Sequence, residues 1–181
     1  MSILEGRRIT LRALEPSDID LLYNWENNSK IWPVSNTLAP FSRFVLEKYI
    51  AESHMDIFQT RQLRLMIDFT ADKRETIGAI DLFDFDPFNS RAGIGILIND
   101  ERYRNRGLAS EALGLLVDYS FSILQLHQLY CNIDIGNKKS IRLFEKFGFK
   151  ITGEKKDWNK IRGGWENVYF LQLINPSVEY T

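Results

Sequence analysis

The sequence predicts an α/β protein, one sheet covered by helices, with elements in the order β-α-α-β-β-β-α-β-α-β-β. Segments that alternate at period two are interleaved with segments that repeat at helical spacing. Three strand-like runs, "LRLMIDF", "ETIGAIDLFDF" and "RAGIGILI", follow one another with only the turn-prone "TADKR" and "DPFNS" between them, which predicts an antiparallel meander. The chain has 181 residues, 44% of them hydrophobic and 13% aromatic, enough for one well-buried core and too few for two, so residues 1–181 are expected to form a single domain.

"RRITLRAL" sets Ile9, Leu11 and Ala13 against Arg8, Thr10 and Arg12, the pattern of a half-buried strand, and ends before Pro16. In "SDIDLLYNWENN", Ser17 or Asp18 can cap a short helix whose inner face is Ile19, Leu22 and Tyr23. Pro33 and Pro40 bracket an irregular stretch, and "SRFVLEKYIAES" gives a second helix with a stripe of Phe44, Val45 and Tyr49. After the meander, Ala109, Ala112, Leu113, Leu116, Val117, Phe121 and Leu124 mark a long amphipathic helix, and "HQLYCNIDI" is a strand. "NKKSIRLFEKFGF" is a helix capped by Asn137, with Ile141 and Phe144 inward and Gly148 ending it. "FKITGEKKDW" and "WENVYFLQLI" close the chain as a hairpin around Gly163 and Gly164.

Twenty-three basic and 24 acidic residues leave a net charge of −1, so no global field draws the protein to nucleic acid or an anionic membrane, and neither partner is expected. The one cysteine, Cys131, sits in a strand-like "LYCNI" as a small buried hydrophobe and suits a reducing compartment. No apolar run approaches the ~20 residues of a membrane span, and "MSILEGRR" lacks the hydrophobic middle of a signal peptide, which predicts a cytoplasmic protein. His54 and His127 have no neighbours at metal-ligand spacing, so no metal site is expected.

Two predicted helices begin with charge of the wrong sign. Arg104 and Arg106 precede one start, and Lys138 and Lys139 occupy the first turn of another. Cations there oppose the helix macrodipole by about 0.3–1 kcal/mol each when exposed. That penalty disappears if an anion binds the free amides, with Gly107 letting the chain approach closely. Solvated surface charge around an ordinary glycine turn remains the alternative for either loop alone; two such starts, each just after a predicted strand, favour an anion site. The glycine patterns of nucleotide-triphosphate and dinucleotide folds are absent.

The loop Arg104-Asn105-Arg106-Gly107-Leu108-Ala109 resembles the Arg/Gln-x-x-Gly-x-Gly/Ala motif of the GNAT family of N-acetyltransferases. The resemblance continues through "RAGIGILINDERYRNRGLASEALGLLVDYSF" and "LYCNIDIGNKKSIRLFEKFGF" and is greatest to the branch of spermidine and ribosomal-protein N-acetyltransferases. It implies a mixed, mostly antiparallel sheet flanked by about four helices, with two splayed strands holding acetyl-CoA. On that basis the exposed backbone of Ile96, Leu97 and Ile98 would pair with the pantetheine arm. Arg104, Asn105, Arg106, Gly107, Leu108, Ala109 and Ser110 would grip the pyrophosphate, and Asn137 would bond the pantetheine while also capping its helix.

Acetyl transfer needs a neutral amine, and a lysine-like amine has a pKa near ~10.4, so a base must take a proton, directly or through water. Many relatives supply a tyrosine as proton donor to the leaving thiolate; this chain has Phe144 there, which leaves Ser140, placed like the serine of the ribosomal-protein enzymes. Ser140 as an ordinary first-turn residue is the competing reading. "DLFDFDP" offers Asp81, Asp84 and Asp86; Asp84 and Asp86 share a face of an extended strand, and Asp84 corresponds to a glutamate near the acceptor amine in spermidine acetyltransferases. A second family glutamate, in the next strand, is Gly93 here, and Asp157 is a reserve acid. Trp25, Trp32, Phe41 and Phe44 either line an acceptor pocket or pack into the core.

The expected function is acetyl transfer from acetyl-CoA to a primary amine by direct attack in a ternary complex, with Ser140 and Asp84 assisting. The acceptor would be a polyamine, another small amine or a protein amino terminus. A catalytically weak acetyl-CoA-binding regulatory module is the alternative. Exposed sheet edges suggest a homodimer.

Overall fold

A computed structural model describes residues 3–32 and 37–177. Its strands are β1 (Ile9–Ala13), β2 (Leu63–Phe69), β3 (Glu75–Asp86), β4 (Arg91–Ile98), β5 (Gln128–Asp134), β6 (Lys150–Ile161) and β7 (Gly164–Ile174). Its helices are α1 (Ile19–Glu26), α2 (Arg43–Glu52), the single turn α3 (Ile57–Thr60), α4 (Leu108–Ser122) and α5 (Lys138–Lys146). The predicted order of elements holds, with α3 added and strand ends moved by a few residues. Pro33, at the start of the irregular stretch, lies outside the described residues.

The strands form one sheet in the order β1-β2-β3-β4-β5-β7-β6. β1 to β4 are successively antiparallel, β2 to β4 through short turns and β1 to β2 across the segment that carries α1 to α3, and β5, β7 and β6 are antiparallel as well. The two groups meet at a single parallel junction, where β4 and β5 pair only through Arg91–Gly93 and Gln128–Tyr130. Beyond it each strand stays with its own group: β4 remains on β3 as far as Ile98, and β5 remains on β7 as far as Asp134. The two strands therefore splay.

Alternation along the strands gives the sheet two apolar faces. One carries Ile67, Ile80, Leu82, Ile94 and Cys131 and is covered by Leu108, Ala112, Leu113 and Leu116 of α4 and by Ile141 and Phe144 of α5. The other presents Met66 and Ala79 to Leu22 of α1 and to Leu46 and Ile50 of α2. Burial of one such aliphatic side chain is worth about 1.5–3 kcal/mol, so both helix layers are anchored by a few residues each.

Two helical details differ from expectation. In α2 the buried residues are Leu46 and Ile50, while Phe44 is 74% exposed and Val45 is exposed as well. The helix starts at the Ser42 cap, and that phase turns Phe44 and Val45 outward with only Tyr49 of the predicted stripe partly buried. Asp18 precedes α1, but its carboxylate does not bond the helix amides. Arg12 takes it instead, Nη1 to Oδ2 at 2.7 Å and Nη2 to Oδ1 at 2.8 Å.

Arg12 also donates through Nε to the buried carboxylate of Asp68 (2.9 Å), which accepts further bonds from Arg74 Nε and Thr76 Oγ1, both at 2.7 Å. Burial opposes ionisation of Asp68, but the bonds from Thr76, Arg12 and Arg74 outweigh it and hold its carboxyl below the usual carboxylate range. This cluster fastens β1 to β2 at the sheet edge. Among the described residues no helix is long and apolar enough to cross a membrane.

Candidate active site

The splay of β4 and β5 opens a cavity of about 600 Å³ with walls from both faces of the sheet. Leu22, Trp25 and Glu26 of α1 close one side, and Asn137, Ser140 and Phe144 line the other. Ile94 to Leu97 of β4 and Cys131 to Asp134 of β5 form the edges of the gap. Because β5 no longer pairs with β4 there, the backbone groups that the Ile94–Ile98 stretch turns toward the gap are left without a ladder partner.

The chain leaves β4 at the open end of the gap, makes a short helical turn at Glu101–Tyr103 and enters the loop that starts α4. Asn105 (φ 59) and Gly107 (φ 78) are both left-handed, and no side chain caps the helix. Such a turn directs successive amides to one side, a natural anion cradle. The second helix lies alongside: from its first turn Lys139 Nζ donates to Asn105 Oδ1 at 3.3 Å, and from its last Lys146 Nζ donates to Ser110 Oγ at 3.2 Å. The two arginines do different work. Arg104 braces the end of β4, donating through Nε to the Ile98 carbonyl (2.8 Å) and through Nη2 to that of Asn99 (3.3 Å). Arg106 lies over the rings of Tyr103 and Phe69, 5.3 and 5.6 Å from their centres.

On the α1 side the cavity carries charge. Arg64 of β2 meets Asp81 through Nε (2.7 Å) and Nη2 (3.2 Å) and Glu26 through Nη1 (2.7 Å). Burial works against the Arg64 charge, yet the two carboxylates outweigh it and raise its pKa above the ordinary arginine value. Asp81 pairs with Gly95 across the β3–β4 ladder, level with the middle of the stretch of β4 that β5 leaves unpaired. Asp134, at the end of β5, accepts from Asn159 Nδ2 at 2.6 Å. Lys155, Trp158 and Asn159 of β6 complete the wall.

The residues singled out from sequence divide as follows. Ile96, Leu97, Asn137, Ser140 and Asp81 border the cavity, as does Trp25. Asn137 caps α5 by accepting from the Ser140 amide (3.2 Å), so the capping bond uses the Ser140 backbone and not its hydroxyl. Ile98 is buried with its carbonyl held by Arg104. Phe144 is buried edge-on against Phe149, their centres 5.0 Å apart. Trp32 is turned back, its Nε1 donating to the Glu26 carbonyl at 2.8 Å, and Phe41 packs beside α1 and α2. Neither Trp32 nor Phe41 lines the cavity.

Asp84 does not share a face with Asp86 in a regular strand. A bulge between Phe83 and Asp86 puts Asp84 at φ 48, with its carboxylate accepting a long bond (3.4 Å) from Tyr130 Oη, and it borders the closed end of the gap instead of the cavity. Asp157 also sits at an irregularity, φ 47, away from the lining. Burial pushes the Cys131 thiol up to about 12. Gly93 lies beneath Phe83, and any Cβ there would collide with that ring.

Sequence reasoning missed Arg64, Glu26, Asp134, Lys155, Trp158 and Asn159. Arg64 had a signal, one of only two charges, with Asp68, inside the otherwise apolar "LRLMIDF", whereas the others are brought together only by the splay and by the closing hairpin.

The family model described as an acetyltransferase (GNAT) domain matches residues 8–150. Spermidine N(1)-acetyltransferase of Escherichia coli (strain K12) is 29% identical over 163 residues, covering 88% of this chain and 82% of that protein. The putative ribosomal N-acetyltransferase YdaF of Bacillus subtilis (strain 168) is 29% identical over 102 residues, 56% of this chain and 55% of that one. A crystal structure of spermidine N-acetyltransferase from Vibrio cholerae in complex with CoA and spermine superposes with a TM-score of 0.83 at 25% identity, covering 93% of this chain and 96% of that one.

Proposed function

This chain belongs to the acetyltransferase (GNAT) domain family, and from that premise we propose that it transfers acetyl from acetyl-CoA to the primary amine of a small molecule by direct attack in a ternary complex. One observation carries the reading. The gap in the sheet has a carboxylate-bearing wall on the α1 side, and the chain that leaves its β4 edge runs within a few residues into the uncapped amides that start α4.

The gap also fits an amide-bearing arm. Asn99 Oδ1, in its wall, is buried with no hydrogen-bond partner among the described residues, so an N–H laid along β4 would satisfy it. Bound there, acetyl-CoA would supply the acyl group as an activated thioester. Backbone amides at Gly107 to Ser110, with Lys139 and Lys146 nearby, would hold the pyrophosphate.

From the α1 side, Asp81 and Glu26 would receive the amine, and a water held by Asp81 would carry its proton away. Asp81 takes this role over Asp84 because it borders the cavity, on the strand paired with β4 and level with Gly95. Ser140, whose hydroxyl is not used in capping, would donate toward the leaving sulfur in place of the tyrosine that Phe144 cannot replace. A thiol with a pKa of about 12 is a poor acyl carrier at neutral pH, which supports direct transfer over a route through Cys131. The outer strand β6 leaves Ile151 and Ile161 exposed, which supports association as a homodimer.

The test is thiol release from acetyl-CoA across a panel of amines, together with CoA binding. Turnover of a small primary amine is expected. CoA binding without turnover of any amine would instead fit a regulatory module, and absence of CoA binding would remove both readings.

A further inference from the structure

The acceptor side of the cavity is not uniformly acidic: Arg64 and Lys155 stand in it beside Glu26, Asp81 and Asp134, so a molecule bearing several ammonium groups meets like charge there. Glu26 and Asp81 already share the guanidinium of Arg64, and Asp134, which keeps its charge, is held at the mouth of the gap by the neutral amide of Asn159. No further carboxylate can enter from β4 at Gly93, because the Phe83 ring fills the space above it. A second cation stands in the same wall. Lys155 Nζ donates to Asn132 Oδ1 at 2.7 Å and lies over the rings of Trp158 (4.7 Å) and Phe170 (5.6 Å), so its partners are a neutral amide and two aromatic faces. The strand register brings it here: Lys155 is opposite Val168, which is opposite Asp134 at the mouth of the gap.

An ammonium has three donors, and the bond to Asn132 uses one. Two remain for a ligand, held in a pocket partly screened from water by aromatic rings. We propose that the acceptor carries an anionic group, a carboxylate or a phosphate, as well as its amine. Lys155 binds the anion while Asp81 and Glu26 take the ammonium, and Trp25 and Trp158 flank the apolar link between them. This inference rests on the acetyltransferase reading above. Arg64 then keeps the amine end from being so acidic that a polycation outcompetes the zwitterion.

Initial rates of thiol release would be compared for γ-aminobutyrate, aminopropyl phosphate, butylamine and spermidine. One of the two anionic amines is expected to exceed butylamine and spermidine in kcat/KM by about ten- to a hundredfold, the range of a charge-assisted hydrogen bond, with the difference in KM. Which of the two wins separates a carboxylate from a phosphate. Lys155→Glu should abolish that preference and move it toward spermidine, while Lys155→Arg retains it; unchanged CoA binding checks that both variants are folded. Preference of the wild type for butylamine or spermidine, or an anion preference that survives Lys155→Glu, would overturn the proposal. If no amine is acetylated, the acetyltransferase reading fails, and calorimetry of γ-aminobutyrate and aminopropyl phosphate on the CoA-saturated protein decides the inference: binding lost in Lys155→Glu supports it, and no binding to the wild type overturns it.

Discussion

Lys139, in the first turn of α5, reaches Asn105 in the loop that opens α4, Nζ to Oδ1 at 3.3 Å. Two helix starts that looked independent along the chain thus form one positively charged corner at the open end of the gap. Lys139→Glu places a carboxylate in that corner, and the Kd for CoA measured by calorimetry should rise about tenfold or more. Lys139→Met should raise it less, and Arg106→Glu should also weaken binding. An unchanged Kd in all three would remove the corner from coenzyme binding.

Gly107 tests the same corner through the backbone. At φ 78 a side chain is strained, and Gly107→Val should cost about 1–2 kcal/mol of stability. CoA affinity should fall as well, because the cradle turns its amides through this residue. Denaturant unfolding and calorimetry on the same sample separate the two effects.

Ser140→Ala should lower kcat by about a hundredfold while leaving the Kd for CoA nearly unchanged, as expected for loss of a proton donor. Phe144→Tyr in that background returns a hydroxyl to the cavity wall and should restore part of the rate. A Ser140→Ala enzyme as fast as the wild type would take Ser140 out of the chemistry.

The Asp68 cluster sets an acid limit on stability. The folded carboxyl titrates below its unfolded value, so its contribution is complete above the unfolded pKa near 4 and is lost as pH falls through the folded one. Thermal melts should therefore show the wild type losing stability below about pH 4 to 5. Asp68→Asn should be about 2–4 kcal/mol less stable at pH 7 and show a flatter acid limb, since the group that titrates is gone. Parallel acid limbs for the two proteins would assign the loss elsewhere.

Incubation with acetyl-CoA alone should leave no acetyl adduct on Cys131 by intact mass, and initial rates should follow an intersecting, ternary-complex pattern. Burial that pushes the thiol to about 12 leaves almost no thiolate at neutral pH.

Much of this was legible in the chain because it is written locally. Period-two and helical spacing located the strands and helices, and the Asn137 cap behaves as its spacing implies. What stayed hidden is non-local. The bulge at Asp84 has no signature in "DLFDFDP", where alternation continues through it, so alternation alone put Asp84 and Asp86 on one face. Glu26, Arg64 and Asp81 come from α1, β2 and β3, and only the packed sheet makes them one group. Lys155 and Trp158 depended on the register of the closing hairpin, which the turn at Gly163 does not reveal by itself.

The three-residue seam between β4 and β5 makes the molecule, in mechanical terms, two rafts lashed at one corner. A guest lying along the free edge of β4 would act as a temporary splice, supplying bonds that the protein omits from its own ladder. Were acetyl-CoA to lie there, as proposed, occupancy would complete the ladder and tie the two halves of the sheet together, so binding would stiffen the protein along that line.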